Sequence, residues 1–339
     1  QAGTVRIQRV TTAARPSISS VVGGHRAATA FDITPDGRHV VFVTRYVDHL
    51  PDVRAAALRG DHAEHVVHDP NAELRAEVDL APVQRRTHTA ADGLLIESFV
   101  VRPPRAKARQ RTPVVLDIHG GPHAMHPSLS LRMIVASQLY AAAGYTVLMP
   151  NPRGSAGYGD EFVAACREDW GGADYDDLMG AVDALIDVHQ ADPDRLFVFG
   201  YSYGGFMTSW VIGHTDRFRA AVIGAPVTDM VSMTGTTDVP FFSVHEMGGL
   251  PWERPDEYAK RSPITYLPDV NTPALIVHHE GDLRCPIGQG EELFALLRLL
   301  GKDAEMVRYP GGFHGVAAPS QLVDQTARFL AWFDAHRDA

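Results

Sequence analysis

Residues 195–210 read RLFVFGYSYGGFMTSW, and the fold turns on how the backbone passes through them. Leu196 to Phe199 form an unbroken apolar run, the pattern of a strand buried on both faces. From Gly204 onward the residues suit a helix. Between the two lies Gly200-Tyr201-Ser202-Tyr203-Gly204, followed by Gly205. A G-x-S-x-G placed between strand and helix is the setting of a nucleophile elbow. The serine there occupies a tight turn with unfavourable backbone angles, so its hydroxyl projects above the sheet. The flanking glycines are needed because side chains would clash where strand and helix pack closely. The bare motif is common; its position after LFVF and before a helix is what makes it specific. The competing reading is a tight turn with no chemistry.

Working outward, apolar strands alternate with helical stretches. Strands are expected at 94–103 (LLIESFVVRP), 112–120, 145–151, 195–200, 219–226, 273–279 and 304–310. Helices are expected at 129–142, 172–189, after Gly204, at 287–300 and near 319–337, with a variable insert following residue 226. Continuous apolar strands interleaved with helices indicate a mostly parallel sheet covered on both faces, an α/β-hydrolase fold. The first 76 residues differ. TAFDITPDGRHVVFVT is a strand, a Pro35-Asp36-Gly37 turn and a second strand, and VRAAALRGDHAEHVVH repeats the scheme around Gly60-Asp61. Two short hairpins do not make a stable domain by themselves. They read as part of a larger β structure, such as one propeller blade. The expected division is therefore 1–76, β-meander, and 77–339, catalytic domain.

A serine hydroxyl is a poor nucleophile until a base takes its proton. In this fold the chain order is Ser, acid, His. The acid should follow a late strand, and Glu280 and Asp282 follow PALIVHH; Asp282 lies after Gly281, in the loop proper, and is preferred. Its competing role is a helix cap, and Asp229, after the preceding strand, is the second candidate acid. The base should follow the last strand, where VRYPGGFHGVA places His314. There are 17 histidines, but His278 and His279 precede the acid and His336 sits on the terminal helix. Two oxyanion donors are required. One is expected from the backbone N–H of Tyr203, the other from His119-Gly120-Gly121-Pro122-His123 after the VVLDI strand, with Gly121 the choice.

Composition excludes other classes. The chain carries 41 acidic and 31 basic residues, a net charge of −10, which disfavours nucleic acid and anionic membrane as partners. No stretch approaches the ~18 apolar residues of a membrane span. No signal-peptide pattern opens the sequence, but residue 1 is Gln and not Met, so the natural N-terminus is not visible; the cytoplasm is the preferred compartment. The two cysteines, Cys166 and Cys285, show no metal spacing and no disulfide framework. There is no P-loop, no G-x-G-x-x-G opening a helix and no H-E-x-x-H. No cofactor or metal is implied.

DIHGGPHA, NPRGSAGYGDEF, WGGADYDDLMGAVDALI, GYSYGGFMTSW, HHEGDLRCPIGQGEEL and YPGGFHG occur together and in this order. In this they resemble the prolyl oligopeptidase family of serine peptidases, most nearly its acylaminoacyl-peptidase and bacterial oligopeptidase branch. The resemblance runs from about residue 77 to the end. It implies a C-terminal α/β-hydrolase domain behind an N-terminal β-propeller, of which 27–70 would be the last part. The chain would then be a fragment, a processed form or a variant with a reduced N-terminal part. It implies Ser202 as nucleophile, Asp282 as acid, His314 as base, and the N–H groups of Gly121 and Tyr203 as oxyanion donors. It further implies that Arg284, two residues after the acid, approaches the substrate, that Phe241 and Phe242 of DVPFFSVHEMGG line the S1 pocket, and that Arg153 organises the loop beneath the site. The expected substrate is a short peptide or an acylated amino acid. A small-molecule esterase or amidase on the same fold is the nearest alternative, and a catalytically silent scaffold is the rival from another class. A homo-oligomer, or association with a separate propeller segment, is the expected assembly.

Overall fold

The apolar runs form the middle of an eight-stranded sheet, and the side chains on each run divide between two cores. The computed structural model describes residues 3–12, 15–46, 48–126, 131–316 and 318–338, with backbone alone for 131–134. Its strands are β1 (Ile7–Thr11), β2 (Ser17–Val22), β3 (Ala27–Ile33), β4 (His39–Tyr46), β5 (His49–Ala57), β6 (Glu64–His68), β7 (Val83–Thr89), β8 (Leu95–Val101), β9 (Thr112–Ile118), β10 (Thr146–Asn151), β11 (Ala191–Tyr201), β12 (Phe218–Gly224), β13 (Ala274–His279) and β14 (Ala304–Tyr309). Its helices are α1 (Ala72–Glu77), α2 (Leu131–Ala142), α3 (Asp160–Ala164), α4 (Ala173–Asp187), α5 (Tyr203–Ile212), α6 (Met230–Thr236), α7 (Pro240–Met247), α8 (Pro255–Lys260), α9 (Gly288–Leu299) and α10 (Pro319–Ala335).

The large sheet has the order β14-β13-β12-β11-β9-β10-β8-β7. Strands β9 to β14 pair parallel, while β8 is antiparallel to both β10 and β7. On β9, Val114, Leu116 and Ile118 face a core completed by Leu178 and Val182 of α4, Phe206 and Trp210 of α5 and Leu293 of α9. Val115 faces the other core, with Tyr140 of α2 and Phe329 and Phe333 of α10. Strand side chains alternate between faces, so a run buried on both faces must be apolar throughout. All ten residues of α5 are buried, which is why its sequence lacks an amphipathic pattern.

The chain passes from β9 outward to β10 and then back across β9 to β11. At such a reversal the connections leave in opposite directions and open a crevice at the carboxyl ends of the strands. The loops after β9, β11, β13 and β14 all emerge at that end of the sheet.

Two further sheets precede it. β3 to β6 form a four-stranded antiparallel meander and β1–β2 a separate hairpin. Ile7, Val21 and Val22 of the hairpin pack with Val40, Phe42 and Ala56 of the meander. The sequence pattern identifies the meander, whereas β1, β2 and the polar, edge-lying β7 carry no apolar alternation strong enough to announce them.

Candidate active site

At the end of β11 the backbone turns abruptly into α5, and Ser202 sits at the turn with φ 66° and ψ −122°. A positive φ is costly for a non-glycine residue, and the neighbours hold it there. The Ser202 N–H donates to Gly224 O at 2.9 Å. A Cβ on Gly200 would lie 2.1 Å from Gly204 O, and one on Gly204 would lie 2.1 Å from Ile118 O. Both glycines are therefore steric requirements of the crossing between β11, β9 and α5.

Asp282 follows β13 and His314 follows β14, and the parallel pairing of these strands brings the two loops together. His314 Nδ1–H donates to Asp282 Oδ2 at 2.7 Å. Asp282 Oδ1 accepts from the backbone N–H groups of Arg284 and Cys285, both at 2.9 Å. The carboxylate is thus wholly buried but satisfied, and only Oδ2 remains for the imidazole. Behind it His278 Nε2–H donates to Cys285 O at 2.7 Å, and desolvation depresses its basicity. The rival acids are engaged elsewhere. Asp229 caps α6 through the N–H groups of Val231 and Ser232. Glu280 pairs with Arg308 at 3.1 Å.

Ser202 and His314 line one cavity of about 620 Å³, together with Gly120, Gly121, Phe242 and Arg284. Gly121 has φ +126°, and a Cβ there would meet the amide nitrogens of His123 and Ala124 at 2.4 and 2.5 Å. Tyr203 is the first residue of α5, where N–H groups have no acceptor within the helix and the dipole favours negative charge. Its phenol reaches the other way and donates to Asp174 Oδ2 at 2.5 Å. Burial pushes the Asp174 carboxyl up to about 7. Beside Ser202 opens a narrow recess of about 40 Å³ walled by Trp170, Val227, Met230, Met233, Val239 and Phe242. Cys285 also borders it, its Sγ 3.9 Å from Ser202 Oγ, and burial keeps that thiol protonated.

Phe241 does not share this wall and corrects the expectation drawn for it. It is 89% exposed, whereas Phe242 packs against Trp170 and His123. Consecutive residues on α7 point about 100° apart, so only one of the pair faces the recess. Arg284 borders the cavity with its guanidinium Nε 2.7 Å from Asp238 Oδ1 and stacked over Phe313. Arg153 binds the buried Asp177 carboxylate through Nε at 2.8 Å and a terminal nitrogen at 2.9 Å, and reaches Asp92 at 2.8 Å. That tethers the loop after β10 under the site. Sequence reasoning missed Trp170, Val227, Met230, Met233 and Val239. Val239 and the methionines stand in the insert that reads only as variable, and nothing in Trp170's surroundings in sequence marks it as a recess wall.

Among the described residues, one group of potential metal ligands converges: His123, Cys166 and Glu246, with donor atoms within 4.8 Å of one another. No helix among the described residues is long and apolar enough to cross a membrane. A serine hydroxyl at a helix N-terminus, a buried carboxylate–imidazole pair on the same cavity and an apolar recess are the parts required for acyl transfer.

The family model described as "Prolyl oligopeptidase family" matches residues 131–339. The "Uncharacterized peptidase YuxL" of Bacillus subtilis is 37% identical over 317 residues, covering 91% of this chain and 47% of the relative. The "Dipeptidyl-peptidase 5" of Porphyromonas gingivalis is 30% identical over 326 residues, covering 94% of this chain and 46% of the relative. Among solved structures, the Pyrococcus horikoshii acylaminoacyl peptidase superposes with a TM-score of 0.90 at 24% identity, over 99% of this chain and 53% of that one. The chain thus spans about half the length of the relatives it matches, and the structural likeness is one of fold.

Proposed function

The chain belongs to the prolyl oligopeptidase family, and from that premise we propose that it is a serine peptidase hydrolysing short peptides or N-acylated aminoacyl peptides through an acyl-enzyme on Ser202. The observation that carries the reading is the 2.7 Å contact of His314 Nδ1–H with a buried Asp282 whose second oxygen is already committed. That contact holds the imidazole in the tautomer whose Nε2 lone pair is free to accept the Ser202 proton. Ser202 Oγ attacks the carbonyl, and Asp282 stabilises the imidazolium that results. The N–H groups of Gly121 and Tyr203 receive the oxyanion. His314 then delivers its proton to the leaving amine, and water repeats the sequence to release the acid. The apolar recess beside Phe242 takes the side chain on the acyl side of the scissile bond, and Arg284, which lines the same cavity, faces the substrate.

We further propose that residues 1–76 are the end of a propeller, the β3–β6 meander being its last blade, and that the assembly includes further blades or a second copy of the chain. A cytoplasmic compartment is part of the same proposal. Purified protein should be assayed against acyl-aminoacyl, dipeptidyl and simple ester substrates, with Ser202→Ala alongside. Peptide hydrolysis that vanishes in Ser202→Ala supports the reading. Turnover confined to simple esters would replace it with an esterase, and failure of wild type to react with a fluorophosphonate probe would leave only a scaffold.

A further inference from the structure

Three side chains that the acyl-transfer chemistry does not use meet beside the Gly121 turn. His123 follows β9, Cys166 follows α3 and Glu246 lies near the end of α7, and one donor atom from each falls within 4.8 Å of the other two. Their remaining polar atoms are already held. His123 Nδ1–H donates to Gly154 O at 2.9 Å, which leaves Nε2 with its lone pair 3.2 Å from Glu246 Oε1. A backbone carbonyl in that position is the usual partner of a metal-binding imidazole. Glu246 Oε2 accepts from Trp170 Nε1–H at 3.1 Å, which leaves Oε1. Cys166 Sγ makes a long, weak contact of 3.8 Å to Val163 O. A ring nitrogen and a carboxylate oxygen so placed share a cation, whether a proton or a metal ion.

Bond lengths decide which ion fits. Zinc binds imidazole nitrogen and carboxylate oxygen at about 2.0–2.2 Å and thiolate sulfur at about 2.3 Å, in a tetrahedron. Those lengths set nitrogen and oxygen about 3.3 Å apart, and sulfur about 3.5 Å from either. The His123–Glu246 separation of 3.2 Å already matches. Cys166 Sγ, within 4.8 Å of both, has at most about 1.3 Å to close. A thiolate beside an imidazole selects against Mg²⁺ and Ca²⁺, which take oxygen ligands. The His123 side chain is 29% exposed, while Glu246 and Cys166 are buried. We propose that His123, Cys166 and Glu246 form a binding site for Zn²⁺ or a divalent ion of like preference. Solvent reaches the site past His123 and supplies the fourth ligand.

On binding, the Cys166 S–H bond breaks, the proton passes to solvent and the Sγ–metal bond forms, with no change of oxidation state. Burial pushes the free thiol up, so displacing that proton costs affinity. Charge balance works the other way. The thiolate and the carboxylate together cancel the two charges of the ion, and a buried charge has to be paired. The ligands stand on three segments that border the recess. His123 comes two residues after Gly121, Cys166 four before Trp170, and Glu246 four after Phe242 on the same face of α7. The ion therefore staples these segments and stabilises the fold by mass action. Ser202 and His314 line a different space, so the site stands or falls independently of the acyl-transfer reading.

The test titrates the purified chain, reduced and freed of metal by a chelator, with Co²⁺ and with Zn²⁺. Wild type should take up one Co²⁺, showing the visible bands of tetrahedral cobalt and a near-ultraviolet thiolate-to-metal charge-transfer band. Zn²⁺ should displace it and raise the melting temperature as its concentration rises. Cys166→Ser should abolish the charge-transfer band. Cys166→Ser and His123→Gln should each weaken Zn²⁺ binding by more than about 100-fold, beyond the 10- to 100-fold that an outer-shell partner is worth. Cys285→Ser, which removes the chain's other thiol, should keep the band. Wild type without a thiolate band would overturn the proposal. So would a band that survives Cys166→Ser and is lost in Cys285→Ser, or Zn²⁺ affinity unchanged in Cys166→Ser and His123→Gln, since either places the ion elsewhere. If Cys166→Ser does not fold, the more exposed His123→Gln decides on affinity.

Discussion

Replacing Asp282 with asparagine sets two requirements against each other. In the native site Oδ1 accepts two backbone N–H groups, from Arg284 and Cys285, and Oδ2 accepts the His314 Nδ1–H. Asparagine has one acceptor oxygen and one donor amide. If its oxygen stays with the two backbone donors, the NH₂ faces His314 and forces the proton to Nε2. The lone pair that should receive the Ser202 proton is then gone, and a loss of about 10⁴ in kcat is the scale for a wrong tautomer, equivalent to roughly 5.5 kcal/mol of barrier. If the amide flips to serve His314, both N–H donors meet an NH₂ in a fully buried position. Two buried donors left unmade cost about 1–3 kcal/mol each, which would appear as lost stability. Because the two backbone donors outnumber the single imidazole, the first orientation should prevail. Asp282→Asn should therefore melt within a few degrees of wild type yet lose roughly four orders of magnitude in kcat. Steady-state kinetics on a peptide anilide and thermal unfolding measure both. A variant keeping more than about a tenth of wild-type kcat at unchanged melting temperature would refute Asp282 as the orienting acid.

Ser202→Ala should reduce turnover by several orders of magnitude while circular dichroism stays native; retention of a tenth of the activity would falsify the assignment. Turnover should fall at acid pH, because protonated His314 has no lone pair for the serine proton; a flat profile from about pH 5 to 8 contradicts a histidine base. Phe242→Ala should lower kcat/KM for a phenylalanyl substrate about tenfold more than for an alanyl one, on the scale of about 1–3 kcal/mol for an apolar group in a pocket, while Phe241→Ala should leave the ratio unchanged. Equal losses on both substrates would place Phe242 outside the pocket. The folded value of Asp174, about 7, lies above the ordinary 3.8 of an aspartate, so the folded state holds the proton more tightly and stability should decline as pH rises between the two. Asp174→Asn should flatten that part of the melting-temperature profile, and an unchanged slope would assign it to other groups.

Most of the order of strands and helices from residue 94 onward was legible because the inner strands of the large sheet are buried on both faces and are followed by turn or helix signals. The elbow was legible because its glycines are demanded by backbone contacts within the same few residues. β7 was not, since a sheet edge tolerates polar residues such as Gln84, Arg85 and Arg86. The recess was not, since its lining comes from segments as far apart in the chain as Trp170, Met230, Phe242 and Cys285.

By itself, then, the sequence determined the fold class, the elbow and the succession Ser202, Asp282, His314, because strand period, turn chemistry and loop position are local properties of the chain. The preference for Asp282 over Asp229 rested on its loop following the later strand. Tertiary structure decided what those residues do to one another. It gave Asp229 to a helix cap and surrounded Asp282 with backbone donors. It turned Phe242 inward and Phe241 outward, because the phase of a short helix is set by what it packs against. It brought His123 to Glu246 across 123 residues of chain. Buried charges choose partners through space, and their spacing along the chain leaves no local trace.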